Sequence, residues 1–391
     1  MFGNQNIKFR HLLFAIVLFM LLVVVSFGAG FLTSNYLPVF SGVKDFSELL
    51  QSFSLIKNHY YGILPETKDM EYGMIRGMLE VVGDPYTILV EPAQNELQTD
   101  QLTGSFGGIG ARLEWDADGN LLLYPFPESA AQKAGIQEGD RLLAVDDLKI
   151  QKEMTAEEVQ AAIRGKVGET VKLSLARAPD YSELSLNVIR EKINLPSVTW
   201  NFAAQDQRVG IIQVNIIAAT TPDEVKEAVH DLQTRQAEYF ILDLRNNSGG
   251  LLVAGIETAE LFLKEGVVIQ QQYRDQPVEE IISDEDGLFT NLPITVLVNE
   301  YSASAAEIIA GALQGRQRAA LIGTNSYGKD TIQLVFDLND GSSLHVTTAQ
   351  WWIPGLNYSI HGQGLIPDVS LSIEEANSQA AIDAAIRYMV K

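Results

Sequence analysis

The stretch N-E-Y-S-A-S-A-A-E-I-I-A-G-A-L, residues 299–313, follows directly on the apolar run I-T-V-L-V at 294–298. That run has the length and β-branched content of a buried strand, and the Ala, Ile and Leu residues after Ser304 recur at helical spacing. A strand that turns straight into a helix is the repeating unit of an α/β sheet, so this stretch decides the fold class. It also points to chemistry. A serine at such a turn is presented at the tip of a rigid sheet. The N–H groups that follow belong to a helix N-terminus, where unpaired donors and the positive dipole end favour an oxyanion.

Working outward, Lys329 lies 25 positions beyond Ser304, in T-N-S-Y-G-K-D (324–330) after a second apolar run at 319–323, and Gln333 comes four residues later. No histidine is close to either in the sequence. A lysine acts as a general base only when its amine is neutral, which requires a pKa well below the usual value of about 10.4. Burial among apolar groups depresses it by up to roughly 3–5 units. The neighbourhood here is mostly apolar, and Gln333 can orient the amine without adding charge. Taken singly, Ser304 would be a helix cap and Lys329 a turn lysine.

The surrounding pattern alternates strand and helix from about residue 195 to the end. Strands are expected at 209–214, 239–244 and 267–273, and helices at 222–235 and 254–263. This is the signature of an α/β core with a largely parallel sheet, whose ligand sites gather at strand ends. Asp243, Gly249, Gly250, Ser304 and Lys329 all fall at such ends. Strands at 343–348 and 350–353 carry Trp351 and Trp352, and a helix over 373–390 closes the chain.

Upstream, apolar residues at helical spacing within 43–83 predict two or three amphipathic helices whose stripes serve as core or subunit interface. From 103 to 192 the pattern becomes short strands with one helix near 155–163. The run A-G-I-Q-E-G-D-R-L-L (134–143) there resembles a PDZ domain. In that family a glycine loop captures a peptide carboxylate, which implies this role for Gly108, Ile109 and Gly110. Successive N–H groups in a glycine-permitted turn form an anion-binding nest, beside which an extended peptide can add as a strand.

Nearly the whole soluble chain resembles the carboxyl-terminal processing peptidases, or tail-specific proteases. The resemblance rests on S-A-S-A-A-E, the spacing to Y-G-K, Gln333, D-L-R-N-N-S-G-G (243–250), G-L-I-P-D (364–368), I-H-G-Q-G (360–364) and D-P-Y-T (84–87). It implies a crotonase/ClpP-like α/β protease core over 193–391, with an inserted PDZ-like domain over 103–192 and an N-terminal helical region over 43–100. It also implies Ser304 as nucleophile, Lys329 as general base, Gln333 as its orienting partner, and Gly250 and Ala305 as oxyanion-hole donors. The implied substrates are proteins with exposed apolar C-termini, and the implied state is a homo-oligomer. Three positions depart from the family pattern: Ala306 stands for a third Ser, Ser248 for Pro, and Asp330 for Gly. A carboxylate at 330 is expected to raise the Lys329 pKa unless it points to solvent. That expectation supports a rival reading, a catalytically silent scaffold that binds protein tails. A third reading, a hydrolase using Ser248 or Ser302 with a histidine, lacks the G-x-S-x-G context.

Composition narrows the classes further. A formal net charge of −22 argues against nucleic acid as a partner. With no cysteine, disulfides and thiolate metal sites are excluded, and the five histidines show no ligand spacing, so neither metal nor cofactor is expected. Residues 12–32 are uncharged, long enough to span a bilayer of about 30 Å, and preceded by Lys8 and Arg10. Residues 1–33 therefore read as a single-pass membrane anchor that leaves the catalytic part extracytoplasmic. The alternative is a signal peptide cleaved near Ser26–Gly30, with a secreted or periplasmic product. Tail binding is expected to align the Lys329 strand with Ser304.

Overall fold

The computed structural model describes residues 46–390. The expected membrane anchor lies outside them, and among the described residues no helix is long and apolar enough to cross a membrane. The chain divides into two compact units between Met74 and Ile75. In the first, the helix Ser47–His59 carries Glu48 in its first turn and Lys57 and His59 in its last, matching its dipole. It buries no residue and leaves Leu49, Leu50, Leu55 and Ile56 exposed.

Within the second unit, the sheet that carries the site has six strands. In spatial order these are Val198–Phe202, Val209–Val214, Tyr239–Asp243, Ile294–Val298, Ala320–Gly323 and Val369–Ser370. All neighbours after the first pair run parallel. Parallel strands need a cover on both faces, which explains why Ile294–Val298 is wholly buried and apolar but for Thr295. Side chains alternate between two cores. Ile212, Leu242, Val296 and Leu321 pack with the helices Thr221–Thr234, Leu252–Glu260 and Ala305–Gly315. Ile211, Ile241, Leu297 and Ile322 face Ala381, Ala384 and Ala385 of the helix Gln379–Met389.

Two expected elements differ. The region 373–390 holds two helices, Ile373–Ala376 and Gln379–Met389, because the Ser378 hydroxyl caps the second by accepting from the Ala380 N–H. The two expected strands at 343–353 are one continuous strand, Ser343–Trp352. It has room to be long because it serves three partners: Thr331–Asp337, Ile88–Val90 and Gly266–Tyr273.

Residues 111–189 form a separate antiparallel sheet around Leu121, Leu123, Leu142, Val159, Leu173 and Leu175, with the helix Ala156–Ile163 against it. That helix starts on a capping box between Thr155 and Glu158. Asp140 of the G-D-R-L-L run is buried and takes a two-pronged bond from Arg177, at 2.8 and 2.6 Å. Strand Ala111–Trp115 is an outer strand of this sheet.

Candidate active site

The turn after Ile294–Val298 is built by its own polar side chains. The Asn299 N–H donates to Ser302 Oγ (3.0 Å), and that hydroxyl donates to Leu244 O (2.8 Å). Ser302 is fully buried and consumed by these bonds, so it is a structural serine and no nucleophile. Two residues on, Ser304 has φ 54° and ψ −119° at the N-cap of Ala305–Gly315. Positive φ in a residue with a Cβ costs on the order of 1–3 kcal/mol, and such strain concentrates where a side chain must be aimed.

The loop Asn246–Gly250 holds this turn from the other side. Asn247 is buried, donating from Nδ2 to Val214 O (2.7 Å), accepting at Oδ1 from Gly249 N–H (2.9 Å), and accepting at its carbonyl from Ala303 N–H (2.9 Å). A Cβ on Gly249 would come within 2.9 Å of both Ala303 O and the Ser304 Cβ, so only glycine lets the two loops close. Among the hydrogen bonds of the described residues, none is donated by the N–H of Gly250 or of Ala305. Both residues line one cleft of about 270 Å³ with Ser304, Lys329, Gln333, Ser248, Leu102 and Ile308.

Lys329 enters that cleft from the far side. Its ammonium donates to Gln333 Oε1 (2.5 Å), Gln333 Nε2 donates to the Tyr86 carbonyl, and the Tyr86 ring centroid lies 4.9 Å from the ammonium. Burial pulls the Lys329 pKa below its ordinary value, with Asp84 and Glu307 opposing. No hydrogen bond joins the Ser304 hydroxyl to Lys329 among the described residues. Asp330 is not among the groups that act on Lys329. Its buried carboxylate turns away from the lysine and accepts from Gln350 Nε2 (2.6 Å) and His361 Nδ1 (2.8 Å). The carboxylate at 330 is thus paired inside the protein and does not reach solvent.

His361 is held above its ordinary pKa by Asp330. A raised folded-state value means the pair stabilises fully below about pH 6.5 and loses that contribution as pH rises through the raised value. His361 is largely exposed, so the effect is small. We expect amide protection in the 326–330 turn, taken relative to the intrinsic base-catalysed exchange rate, to fall between pH 6 and 8, and His361→Gln to remove that fall.

Three participants escaped sequence reading. Glu307, fully buried, accepts from Ser326 Oγ (2.6 Å) and Gly328 N–H (2.7 Å) on one oxygen. On the other it accepts from the N–H groups of Ser304 (2.8 Å) and Lys329 (2.9 Å). One carboxylate thus ties the serine turn to the lysine turn. Burial pushes its pKa up, and these bonds pull it back. His345 lines the cleft although it is remote from Ser304 in sequence, and burial followed by the charge of Lys329 holds its pKa low. Tyr86 is the third. Glu307 sits three residues after Ser304 in S-A-S-A-A-E, the capping-box position that marks it as a partner of the turn; the other two carry no local signal.

Comparison with known proteins follows the same outline. The model of peptidase family S41 matches residues 208–371, and that of the PDZ domain matches 125–177. A carboxyl-terminal-processing protease of Picosynechococcus sp. is 35% identical over 321 residues, covering 81% of this chain and 77% of its own. The carboxy-terminal processing protease CtpA of Bacillus subtilis is 34% identical over 349 residues, covering 89% and 73%. The chain belongs to the carboxyl-terminal processing peptidases of family S41. A photosystem II D1 C-terminal processing protease of known structure is 27% identical and covers 87% of this chain and 91% of its own, with a TM-score of 0.47. As a member of this family the protein is a serine-type peptidase with a PDZ domain, acting on protein substrates.

In this peptidase the PDZ residues Gly108, Ile109 and Gly110 line a second cleft of about 270 Å³, with Leu113, Phe126, Gln160, Ile163 and Arg164. The expected three-residue loop is shorter than anticipated. Gly108 ends the strand Ser105–Gly108, paired with Glu191, which leaves Ile109 and Gly110 (φ 69°) to make the turn. The Ile109 side chain is buried in the PDZ core. Arg164 stacks on Phe106 (4.0 Å to the ring centroid) and pairs with Asp100 (2.9 Å) at the rim.

Proposed function

We propose that this peptidase cleaves by a Ser304/Lys329 dyad through an acyl-enzyme, after its PDZ groove has taken the C-terminal tail of an unfolded protein. The observation that carries the reading is one cleft holding a serine at strained φ, a half-buried lysine with depressed pKa, and two undonated N–H groups, those of Gly250 and Ala305. Ser304 Oγ attacks the scissile carbonyl as neutral Lys329 takes its proton. The two N–H groups receive the oxyanion, and Lys329 returns the proton to the leaving amine. A rotation of the serine hydroxyl or the arrival of substrate closes the gap to the amine, as apo catalytic bonds are commonly long. Gln333 holds the amine without adding charge. The core, with its nucleophile at a parallel strand end and helices on both faces, suits the crotonase/ClpP-like assignment.

For tail capture, the groove lies between the outer strand Ala111–Trp115 and the helix Ala156–Ile163, the setting in which an extended peptide adds to a sheet edge. We expect Leu113→Asp to weaken binding of an apolar peptide with a free C-terminus by at least about tenfold. Amidating that C-terminus should do the same to the wild type, both read by fluorescence anisotropy. Cleavage of a short peptide too small to reach the groove should change little. The apolar anchor of residues 12–32 behind Lys8 and Arg10 supports an extracytoplasmic catalytic part. The unburied apolar residues of Ser47–His59 support a homo-oligomer. The scaffold reading loses its main support, since Asp330 is spent on His361 and Gln350.

The deciding experiment follows cleavage of an unfolded protein with an apolar tail from pH 6 to 10, in wild type, Ser304→Ala and Lys329→Ala. Cleavage by wild type alone, rising with pH as the amine deprotonates, supports the dyad. Turnover by Lys329→Ala at the wild-type rate rules it out.

A further inference from the structure

D-P-Y-T (84–87) lies more than two hundred residues before Ser304, and the reaction outlined above gives it no task. The fold nevertheless carries it to the base. The strand Ile88–Val90 pairs antiparallel with the start of Ser343–Trp352, setting Ile88 against His345 and Val90 against Ser343. Thr87 Oγ1 accepts from the Thr347 N–H (3.1 Å) of the same strand, and the Asp84 carboxylate accepts from the Tyr86 N–H (3.1 Å) and the Thr87 hydroxyl (2.5 Å). Pinned in this way, Tyr86 makes two contacts with the base. Its carbonyl accepts from Gln333 Nε2, and its ring face lies 4.9 Å from the Lys329 ammonium. An amide has one acceptor end and one donor end. With the donor end spent on Tyr86, only the Gln333 oxygen can face the lysine.

We propose that Tyr86 is a positioning residue for the general base: its carbonyl locks Gln333, while its ring face seats the Lys329 ammonium and sets the pH at which the proton leaves. This rests on the Ser/Lys reading. A ring face attracts a cation and not a neutral amine, so it opposes the depression that burial imposes. The charged and titratable groups facing Lys329 are few. Asp84 and Glu307 hold its proton on, and His345 is kept neutral by burial and by the lysine itself. Asp330, next in the chain, faces His361. The Tyr86 phenol is pushed up, first by burial and then by Tyr327, so the ring meets the lysine uncharged.

The test measures kcat and KM from pH 6 to 10 on the full chain, for wild type, Tyr86→Phe, Tyr86→Leu, Ser304→Ala and Lys329→Ala. Removing the ring in Tyr86→Leu should move the rising limb of kcat to lower pH by about half a unit to one unit and reduce the plateau several-fold, with KM within about twofold. Tyr86→Phe keeps the ring and should hold the limb where wild type has it. A purely structural Tyr86 predicts the opposite pattern, a loss of activity with the limb unmoved, and that result overturns the proposal. Should Tyr86→Leu fail to fold, ring-fluorinated phenylalanines at 86 weaken the face without changing its shape. A limb that stays put along that series overturns it equally. The controls separate the two levels: wild-type turnover in Ser304→Ala or Lys329→Ala sinks the Ser/Lys reading itself, whatever Tyr86 does.

Discussion

Replacing Ser304 by alanine is expected, on the proposed Ser/Lys reading, to lower kcat by about 10⁴-fold or more, because it removes the oxygen that forms the acyl-enzyme. Stability should barely change, since alanine keeps the same backbone strain. Ser304→Gly is the more informative companion. Glycine adopts φ 54° and ψ −119° without a Cβ penalty, so it should be equally inactive yet more stable than wild type by about 1–3 kcal/mol. Urea denaturation beside a peptide-cleavage assay checks both. An inactive but stabilised glycine variant would mean that the fold gives up stability to aim its nucleophile. A destabilised one would mean that the serine side chain, and not the strain, governs the turn.

Glu307→Gln should be nearly as damaging through a different cause. The carboxylate receives four donors, from Ser304, Ser326, Gly328 and Lys329. A glutamine amide presents an NH₂ where one oxygen stood, which leaves two buried donors facing a donor. At about 1–3 kcal/mol for each unsatisfied group, the loss of stability is about 2–6 kcal/mol. Because those donors belong to both the serine turn and the lysine turn, kcat should fall by about 100-fold or more even at a temperature where the variant is folded. Denaturation midpoints and kcat at the same temperature decide it. A stable variant with wild-type kcat would show that the two turns keep their places without the carboxylate.

Much of the architecture was legible along the chain because it follows from local rules. The run at 294–298, apolar but for Thr295, reads as a buried strand, and the fold makes it one covered on both faces. Ser304, Lys329 and Gln333 were singled out by residue type, spacing and the family resemblance, and the fold brings all three to one cleft. Where local rules gave out, the misses have clear causes. Asp330 was expected to disturb its neighbour, yet its buried carboxylate is taken by a histidine 31 residues away and by Gln350 of the strand Ser343–Trp352. Gly108 was counted with a loop because the pairing strand, Glu191–Asn194, comes some eighty residues later.

The sequence by itself determined the layer architecture, the elements that meet at the cleft and the residues able to do the chemistry, because hydrophobic period, turn residues and residue type are properties of short segments. Only the tertiary structure decided the proton affinity of the lysine and the company it keeps. Burial and the charges of Asp84 and Glu307 act on Lys329, and the Tyr86 ring and His345 lie at the same cleft, through contacts between segments far apart in the chain. Electrostatic energy depends on distance and surroundings in space, and neither is written in the order of residues.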